Sequence, residues 1–325
     1  MNSIRNAYTV NLEHLRLFSA IARSKSLSEG ARQVGCSQSA ASQAIAQLEQ
    51  HLRTPLLDRS RRPLALTSAG QRLNAGVGPL LHGWDRLVAE LKPSSEIAGT
   101  VTVAAIHSLG LHLLVGLVQR FSAEHPAVRV RTQHLRHDEV LKAVRERRVD
   151  LGILSYPPTL RGIDVIHLRD EPLVVACHPA HRLVPRRRLQ LKDLHGQRFV
   201  AFDRDLPIRK AIDEALRAAG VQVELVMELD NVESMKQAVQ SGCGLAILPE
   251  PTVLRETMGR LLVALPIEDV RLSRPVAAIK QRSFHDPAAD AFIAFLHGSM
   301  HQQAANPVSA PIAPVRYGRT PSQYE

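Results

Sequence analysis

The hydrophobic spacing of the chain changes near residue 99, and this change constrains the fold more than any other feature. Before this point, apolar residues recur every three or four positions, which is the period of an amphipathic helix. After it, short apolar runs alternate with helical segments. That alternation is typical of β/α units that build parallel-containing sheets with helices on both faces. We therefore expect a helical N-terminal module followed by a larger α/β body.

The N-terminal module is predicted to contain two short helices joined by a tight turn, with one further helix before them. The first helix has a single apolar face, formed by Leu12, Leu15, Phe18 and Ala22. Ser28 is a suitable N-cap for a second helix that ends near Val34. Gly35 and Cys36 supply the turn, and Ser37 can cap a third helix.

The third predicted helix, which ends near Leu52, has one apolar and one polar face. Its predicted buried stripe consists of Ala41, Ile45, Leu48 and Leu52. The opposite face carries amide and hydroxyl side chains, namely Gln38, Ser39, Ser42, Gln43 and Gln47. Such groups can donate to and accept from base edges in the major groove of DNA. The alternative is a polar, solvent-exposed face on a small helical bundle.

A basic segment follows the third helix. It contains Arg59, Arg61, Arg62 and Pro63 and leads into strand-like residues 64–66. Two helices joined by a tight turn and followed by a basic hairpin are typical of a winged helix-turn-helix. In that arrangement the hairpin arginines would meet the DNA backbone or the minor groove.

The distribution of charge supports a polyanionic partner for the N-terminal module. The whole chain has a formal net charge of +10 over 325 residues. Residues 1–72 contain 10 Lys or Arg and 4 Asp or Glu, a net charge of +6, so the remaining residues contribute only +4. A basic module on a nearly balanced body favours nucleic acid as the partner. The alternative is that the charge serves solubility alone.

A long helix is predicted from residue 67 onward. Its apolar residues are spaced alternately by four and three positions, namely Leu73, Val77, Leu80, Trp84, Leu87 and Leu91. This heptad spacing normally buries a seam against another helix, which favours dimerisation. Gly76, Gly78 and Pro79 interrupt the pattern, and Pro79 is expected to kink or divide the helix. An ordinary core helix is the alternative.

Composition excludes several other classes of protein. The apolar runs are much shorter than the roughly 20 residues of a membrane span, and the N-terminus lacks the features of a signal peptide. The 3 cysteines form no CxxC pair, which argues against a disulfide framework or a zinc ribbon and for a cytoplasmic location. The proline-containing residues 301–325 are expected to form a disordered tail.

Residues 12–70 resemble the DNA-binding domain of LysR-type transcriptional regulators. The motifs that carry this resemblance are Ser37-Gln38-Ser39-Ala40 with Ser42, Gln47-Leu48-Glu49, Pro55-Leu56-Leu57-Asp58-Arg59 and Leu66-Thr67-Ser68-Ala69-Gly70. The resemblance extends to about residue 298. The chain departs from the family pattern at Gly30, where alanine is usual, and at the cluster that contains Pro79.

The resemblance implies an α/β multidomain protein with three parts and a tail. These are a winged helix-turn-helix DNA-binding domain (1–67), a linker helix that dimerises (68–92), an effector domain like periplasmic binding proteins (93–300) and the tail (301–325). It also implies homodimers that pair into homotetramers, double-stranded DNA and a small-molecule effector as partners, and contact with RNA polymerase. The family's DNA-contacting positions fall on Gln38, Ser39, Ser42, Gln43, Arg59 and Arg62. Because the dimer is two-fold symmetric, we expect an inverted-repeat target in promoter DNA.

The effector domain is predicted to consist of two lobes. Lobe I comprises residues 99–169 and 275–300, and lobe II comprises residues 170–274. The chain crosses between the lobes near residues 169–171 and again near 272–274. Because two segments connect the lobes, we expect a hinge between them. Within the lobes, the predicted strands are 100–105, 128–132, 150–154, 173–177, 198–202, 222–228 and 244–248. The predicted helices are 109–124, 138–147, 208–219, 232–241 and 286–298.

Ligands of such domains lie where strands end and helices begin. Applied to this chain, the rule selects Ile106, His107, Ser108, Ser155, Asp203 and Arg204 as cleft residues, with Arg209 as a weaker candidate. For each of them the alternative is a helix cap or an ion-pair partner. The hydroxyl of Ser108 could donate a hydrogen bond to a small anion, so we expect a small anionic metabolite as effector.

Other functions are disfavoured by the sequence. A solute-binding protein of the periplasmic type, without a regulatory role, is the main alternative, and the basic N-terminal module argues against it. An enzyme would need a nucleophile or cofactor motif, and we recognise none. His178 and His181 beside Cys177 have no second ligand pair nearby in the sequence, so no metal or other cofactor is expected. A redox switch would require Cys177 and Cys243 to meet in the fold. Cys243 lies between two glycines in an apolar stretch, which favours a small buried side chain over a redox-active one.

Overall fold

The helices of the N-terminal part precede and follow a short hairpin. This computed structural model describes residues 11–90 and 97–305. The elements of the N-terminal part are α1 (Leu12–Ser24), α2 (Leu27–Val34), α3 (Gln38–Leu52), the hairpin strands β1 (Leu57–Asp58) and β2 (Ala65–Leu66), and α4 (Ser68–Glu90). The predicted helix-turn-helix followed by a hairpin is confirmed.

Local capping explains where α2 and α3 begin and end. The hydroxyl of Ser26 accepts a hydrogen bond from the backbone of Glu29, so Ser26 is the N-cap of α2. The prediction that Ser28 caps this helix is wrong, because Ser28 already lies in its first turn. Gly35 ends α2 with φ of 78°, a left-handed conformation that glycine adopts without strain. Ser37 caps α3 as predicted, accepting from the amide of Ala40.

One face of α3 packs against α1 and α2. Ala41, Ile45 and Leu48 are buried, together with Phe18 on α1, as the spacing indicated. Leu52 was predicted to belong to the same stripe but is 38% exposed. It is the last residue of α3, and the chain reverses direction immediately after it, which leaves Leu52 at the edge of this core.

The helix α4 runs without interruption through Pro79, so this proline does not divide the helix, and the kink stays a prediction. Val77 and Leu81 of this helix are buried in the N-terminal core. Leu80, Trp84 and Leu87 are 45–51% exposed. Leu91, the last residue of the predicted seam, lies outside the described residues. The exposed part of the seam therefore has no cover within one described chain.

The rest of the chain alternates strands and helices. Lobe I begins with β3 (Gly99–Ile106), α5 (His107–Leu109), a π-helical turn (Gly110–Leu114), α6 (Val115–Glu124), β4 (Val128–Leu135), α7 (His137–Arg145) and β5 (Leu151–Ser155). The chain continues with β6 (Ile163–Cys177), β7 (Arg198–Phe202), α8 (Pro207–Ala218), β8 (Glu224–Leu229), α9 (Val232–Gln240), β9 (Ala246–Pro249), α10 (Glu250–Met258) and β10 (Val263–Pro266). It ends with β11 (Ser273–Gln281) and α11 (Pro287–Ala305), so the first five residues of the predicted tail are helical.

The long strand β6 belongs to two sheets. Its first part, up to Pro172, pairs with β11 in a lobe I sheet whose strand order is β6-β11-β5-β3-β4. From Leu173 onward it pairs with β9 and β10 in lobe II. β3 is parallel to both β4 and β5, as expected for β/α units. The predicted two-lobed α/β architecture is confirmed.

Each lobe has its own buried core. In lobe I, α6 and α11 cover one face of the sheet, where the rings of Phe121 and Phe292 meet edge to face at 4.9 Å. Val140 and Val144 of α7 cover the other face. Lobe II has a separate cluster that includes Phe199 and Ile247. Since the cores are separate, the lobes are joined only by the segments that cross between them and by contacts across the gap.

Several elements were not predicted. They are the first part of β6, the helix α10, and the strands β10 and β11. Residues 163–172 include the charged residues Asp164, Arg169, Asp170 and Glu171, so no continuous apolar run marks them. The strand β11 contains Arg274 and Pro275 near its start, and only Val276 to Ile279 form a continuous buried run. A charged residue and a proline are not typical of a strand, so the pattern did not predict one here.

We expect Gly70→Ala to destabilise the N-terminal domain by about 3 kcal/mol, because overpacking against a backbone atom cannot relax easily. A Cβ at this position would lie far inside van der Waals contact with the carbonyl oxygen of Leu56. Gly76→Ala in the same helix is the matched control, since its Cβ would meet open space, and we expect it to stabilise the helix by up to about 1 kcal/mol. Thermal unfolding of both purified variants tests this. Equal unfolding temperatures would contradict the assigned close approach.

Candidate functional site

The carboxylate of Glu49 holds the hairpin against α3. Its Oε1 accepts hydrogen bonds from the backbone N–H groups of Leu56 at 2.7 Å and Leu57 at 3.1 Å. Its Oε2 lies 3.5 Å from a guanidinium nitrogen of Arg59. Hydrogen bonds to an ionised acceptor are stronger than neutral ones. The position of the hairpin relative to α3 is therefore set by one side chain of that helix.

The threonine before α4 fixes the other end of the hairpin. The Thr67 hydroxyl donates to the carbonyl of Pro55 at 2.7 Å and accepts from the amide of Gly70 at 3.0 Å. Thr67 thus caps α4 and ties its start to the segment after α3. These contacts give a physical role to residues of the Pro55–Arg59 and Leu66–Gly70 motifs.

The six residues predicted to contact DNA lie on α3 and on the hairpin. Gln38, Ser39 and Gln43 are exposed on α3, and Ser42 beside them is half-buried. The amide oxygen of Gln38 accepts a hydrogen bond from the Ser28 hydroxyl, which orients this glutamine across the turn. Arg59 and Arg62 are exposed on the hairpin. Polar and basic groups are thus presented on one helix and the loop anchored to it.

A cleft of about 300 Å³ lies between the two lobes. Lobe I lines it with Ile106, His107, Ser108, His134, Leu135, Arg136, His137, Glu139 and Ser155. Lobe II lines it with Phe202, Leu206, Pro207, Ile208, Asp230, Asn231 and Val232, and Arg274 reaches it from the second crossing. A concave site with a few convergent polar groups is the usual form of a small-molecule site.

Four of the six predicted cleft residues line this cavity, namely Ile106, His107, Ser108 and Ser155. Asp203 and Arg204 do not line it. After β7 the chain turns outward, and Arg204 pairs with Glu228 while its side chain remains 77% exposed. The next residues inward, Leu206 and Pro207, occupy the place that was predicted for this polar pair.

Arg209, the weaker candidate, has a structural role. Its guanidinium donates to Asp213, to Glu228 and to the carbonyl oxygen of Phe202. Hydrogen bonds to the two carboxylates raise its pKa above the ordinary arginine value, against the opposing effect of burial, which is the largest single influence. This arginine joins α8 to the β7–β8 pair, which matches the alternative considered for it.

A buried cluster of charges lies where the chain crosses between the lobes. Glu171 on β6 accepts hydrogen bonds from Arg274 on β11 and from Arg169. Only 2% of the Glu171 side chain and 3% of the Arg274 side chain are exposed. Burial alone would raise the pKa of Glu171, but the two arginines outweigh it and lower the pKa below its ordinary value. Two guanidinium groups and one carboxylate leave the cluster with a charge of +1.

Arg274 connects this cluster to the cleft. Its Nη1 donates a hydrogen bond of 2.9 Å to the hydroxyl oxygen of Ser108. Because that hydroxyl already accepts from Arg274, its own proton is available to an acceptor in the cleft. The Tyr156 hydroxyl donates a hydrogen bond to the carbonyl oxygen of Ser273 at the same crossing. Burial raises the pKa of this hydroxyl to about 12.

Two polar side-chain contacts bridge the lobes beside the cleft. Arg136, which precedes α7, lies 2.8 Å from Asp205 and 3.5 Å from Asp230. His112 lies 2.8 Å from Glu233 at the start of α9. These contacts draw lobe I and lobe II together around the cavity.

The sequence analysis missed Arg136, His137 and Arg274. Arg136 and His137 follow β4 directly, so the strand-end rule would have selected them if the predicted strand had extended beyond residue 132. Arg274 lies within the predicted second crossing, but its inward orientation depends on Glu171, which is 103 residues away. That pairing leaves no local signal.

Sequence profiles of known families match both parts of the chain. The profile described as "LysR substrate binding domain" matches residues 94–300. The profile described as "Bacterial regulatory helix-turn-helix protein, lysR family" matches residues 12–71. The chain belongs to the LysR family. It is therefore a DNA-binding transcriptional regulator with an effector-binding domain, in a family of regulators rather than enzymes.

Relatives in this family match over most of their length. The chain is 30% identical over 292 residues to a probable RuBisCO transcriptional regulator of a Synechocystis strain, covering 87% of this chain and 84% of that protein. It is 29% identical over 290 residues to the HTH-type transcriptional regulator CbbR of Rhodospirillum rubrum, covering 88% and 95%.

Solved structures share the fold. A probable transcriptional regulator, PA0477 from Pseudomonas aeruginosa, superposes with a TM-score of 0.72 at 22% identity, covering 89% of this chain and 97% of that one. Full-length CbnR complexed with its target DNA gives a TM-score of 0.68 at 19% identity, covering 89% and 100%. The effector-binding domain of QuiR in complex with shikimate gives 0.58 at 20% identity, covering 63% and 98%.

Within residues 11–90 and 97–305, no helix has both the length and the apolar character needed to cross a membrane. The same residues contain no group of three or more His, Cys, Asp or Glu side chains arranged for a metal ion. Burial raises the pKa of the Cys177 thiol to about 12, which makes a reactive thiolate unfavourable there.

We expect the stabilising effect of the Glu171 carboxylate in this regulator to depend on pH in a defined direction. Its pKa is lowered in the folded chain, so its contribution is present above the ordinary carboxyl pKa and is lost as pH falls through the lowered value. Glu171→Gln should therefore cost about 3–5 kcal/mol at pH 7, since it leaves the buried Arg274 without its carboxylate partner. The cost should shrink in strong acid.

Urea unfolding of both proteins from pH 7 down to pH 3 measures this difference. Asp193→Asn is the control, because Asp193 pairs with the exposed Arg186 far from the crossing. A free-energy difference for Glu171→Gln that stays constant over the whole range would contradict the assigned ionisation.

Proposed function

We propose that this LysR-family regulator binds an inverted-repeat promoter site as a homodimer or homotetramer and senses a small anionic metabolite in its cleft. The observation that carries the proposal is that one chain combines an exposed polar face on α3 with a cleft whose Ser108 hydroxyl is held by Arg274. The polar face of α3 suits DNA, and the cleft suits an anion. The domain division proposed with it is 1–67, 68–92 and 93–300, with a tail at 301–325 whose first five residues continue α11.

The polar face of α3 is proposed to enter the major groove. Gln38 and Gln43 carry amides that can pair with adenine N6 and N7, and Ser39 and Ser42 carry hydroxyls that suit several base edges. Arg59 and Arg62 are proposed to contact phosphates or the minor groove, which positions the helix without specifying sequence. The Glu49 carboxylate supports this arrangement because it fixes the hairpin on the same helix.

The exposed seam on α4 supports dimerisation. Leu80, Trp84 and Leu87 lie at heptad spacing and are about half exposed, whereas such residues normally pack against a second helix. Pairing two α4 helices would place two copies of α3 on one duplex. Half-sites about 34 Å apart, or a multiple of that distance, would then form an inverted repeat. A contact with RNA polymerase is proposed for the DNA-bound oligomer.

The cleft is proposed to bind the effector through Ile106, His107, Ser108 and Ser155. Arg274 holds the Ser108 hydroxyl by a hydrogen bond. The +1 charge of the cluster that contains Arg274 favours an anion over a cation. A ligand bound between lobes changes their relative population only if it binds one arrangement more tightly than the other. The contacts of Arg136 with Asp205 and Asp230 join the two lobes. We propose that these contacts form in a closed arrangement and break in an open one.

We expect the double variant Ser42→Ala, Gln43→Ala to lose its preference for the operator sequence while keeping its oligomeric state. Base contacts specify sequence, so their loss leaves the electrostatic, non-specific binding in place. Gel-shift titration of DNA upstream of its own gene against scrambled DNA measures the preference. Gln50→Ala, an exposed position near the other end of α3, is the control. Unchanged preference in the double variant would refute the recognition-helix assignment.

We expect Leu80→Ser with Leu87→Ser to shift the protein toward monomer, because each substitution places a hydroxyl in an apolar seam. Sedimentation velocity across a dilution series measures the change. Leu254→Ser is the matched control, since this leucine of α10 is 52% exposed and lies in lobe II. An unchanged oligomeric state would show that α4 is not the dimer seam.

A further inference from the structure

The two walls of the cleft differ in chemistry. The lobe I wall carries three histidines, Ser108 and Ser155, and it is backed by Arg274. The lobe II wall is mainly apolar, with Phe202, Leu206, Pro207, Ile208 and Val232; we refer to these five residues as the apolar wall. A ligand that satisfies both sides needs one polar end and one apolar side.

The polar end of such a ligand would meet a positive charge that the protein leaves unbalanced. The charges of Arg169, Glu171 and Arg274 sum to +1. Arg274 is 2% exposed and is paired with Glu171, whereas the Arg169 side chain is 23% exposed. An anion next to this net positive cluster is stabilised by Coulomb attraction. A monoanion bound at Ser108 would bring the sum to zero, whereas a dianion would leave one negative charge in the same place.

Arg136 and His137, which also line the cleft, are already engaged by groups of the protein. Arg136 is already bonded to two carboxylates, those of Asp205 and Asp230. His137 commits its Nε2 to the carbonyl oxygen of Ser155, and burial lowers the pKa of its imidazole, so the neutral form prevails at pH 7. Glu139 and Asp230, which also line the cleft, would repel a second negative group. The charges therefore favour one anionic group per ligand.

We propose that the effector is a small organic monoanion with an apolar body. Its anionic group accepts a hydrogen bond from Ser108 beside Arg274, and its body packs on the apolar wall. This assignment rests on the proposed function of the cleft as an effector site and narrows the chemical class. Aromatic and branched aliphatic monocarboxylates fit it, whereas dicarboxylates, inorganic phosphate and uncharged amides do not.

The hydroxyl of Ser108 also acts as the connection between ligand and crossing. A ligand anion that binds this hydroxyl is one hydrogen bond from Arg274. Arg274 in turn holds Glu171 on the other crossing strand. Binding at Ser108 therefore acts directly on the charges that join the strands at the hinge.

Calorimetric titration of the purified full-length chain with matched probes tests the proposal. The probes are phenylacetate and 4-methylpentanoate as monoanions, phenylacetamide as the uncharged counterpart, succinate as a dianion, and inorganic phosphate. We expect at least one of the two monocarboxylates to bind with Kd of about 1 mM or tighter. Phenylacetamide, succinate and phosphate should each bind at least about 10-fold more weakly, because each lacks either the single charge or the apolar body.

Two variants locate the binding mode. Ser108→Ala should weaken the bound monocarboxylate by about 10-fold or more, the loss expected for a hydrogen bond to a charged group, and Leu206→Ser should weaken phenylacetate more than succinate. Ser241→Ala and Leu254→Ser, exposed positions on other elements, are the matched controls and should change neither. Thermal unfolding without ligand confirms that each variant is folded before it is titrated.

The possible failures can be told apart. If succinate or phosphate binds more tightly than both monocarboxylates and Ser108→Ala weakens it, the anion site stands and the monoanion class is wrong. If phenylacetamide binds as well as phenylacetate, charge is not recognised and the inference is overturned. If no anionic probe binds, or none responds to Ser108→Ala, the anion-sensing part of the proposed function fails with it, while operator binding remains testable by gel shift.

Discussion

The buried ion pair between Glu171 and Arg274 joins the two strands through which the lobes are connected. Glu171 lies on β6 and Arg274 on β11, next to the point where β6 exchanges its lobe I partner for lobe II partners. Removing two charges from water carries a large desolvation cost, which is offset only when the remaining donors and acceptors are also satisfied. Arg169 and Ser108 complete that satisfaction. The hinge and the floor of the cleft are consequently one electrostatic unit.

In the effector site proposed here, this arrangement would connect a bound ligand directly to the strands that join the lobes. Ser108 contacts both the cleft and Arg274, while Arg136 and His112 contact lobe II across the gap. The exposed ion pair of Arg136 with Asp205 contributes little to stability, so it can rearrange if a ligand alters the separation of the lobes. The buried pair is far harder to break. A firm crossing with a weak bridge beside the cavity suits the hinge proposed between the lobes.

The N-terminal domain shows how a short segment can be positioned without a large core. Glu49 binds two backbone amides of the hairpin, and Thr67 ties the same segment to α4. The absence of a side chain at Gly70 lets α4 approach the carbonyl of Leu56. Similarly, the absence of one at Gly30 lets α2 approach Ile21 closely, although alanine is usual in the family at this position. Close backbone packing therefore holds the surfaces of α3 and the hairpin in a fixed relation.

The amino-acid sequence by itself determined the elements whose signals are local. The turn at Gly35, the cap at Ser37 and the buried stripe of α3 depend on residues within one or two helical turns, and strand ends indicated Ser108 and Ser155 in the same way. Only the tertiary structure decided that Arg204 turns outward, that β6 serves two sheets and that Arg136 reaches Asp205, 69 residues away. It alone placed Arg274 behind Ser108. Periodicity reports which face of an element is buried, whereas the pairing of distant charges depends on how the elements are assembled, because those charges meet only after the sheets have formed.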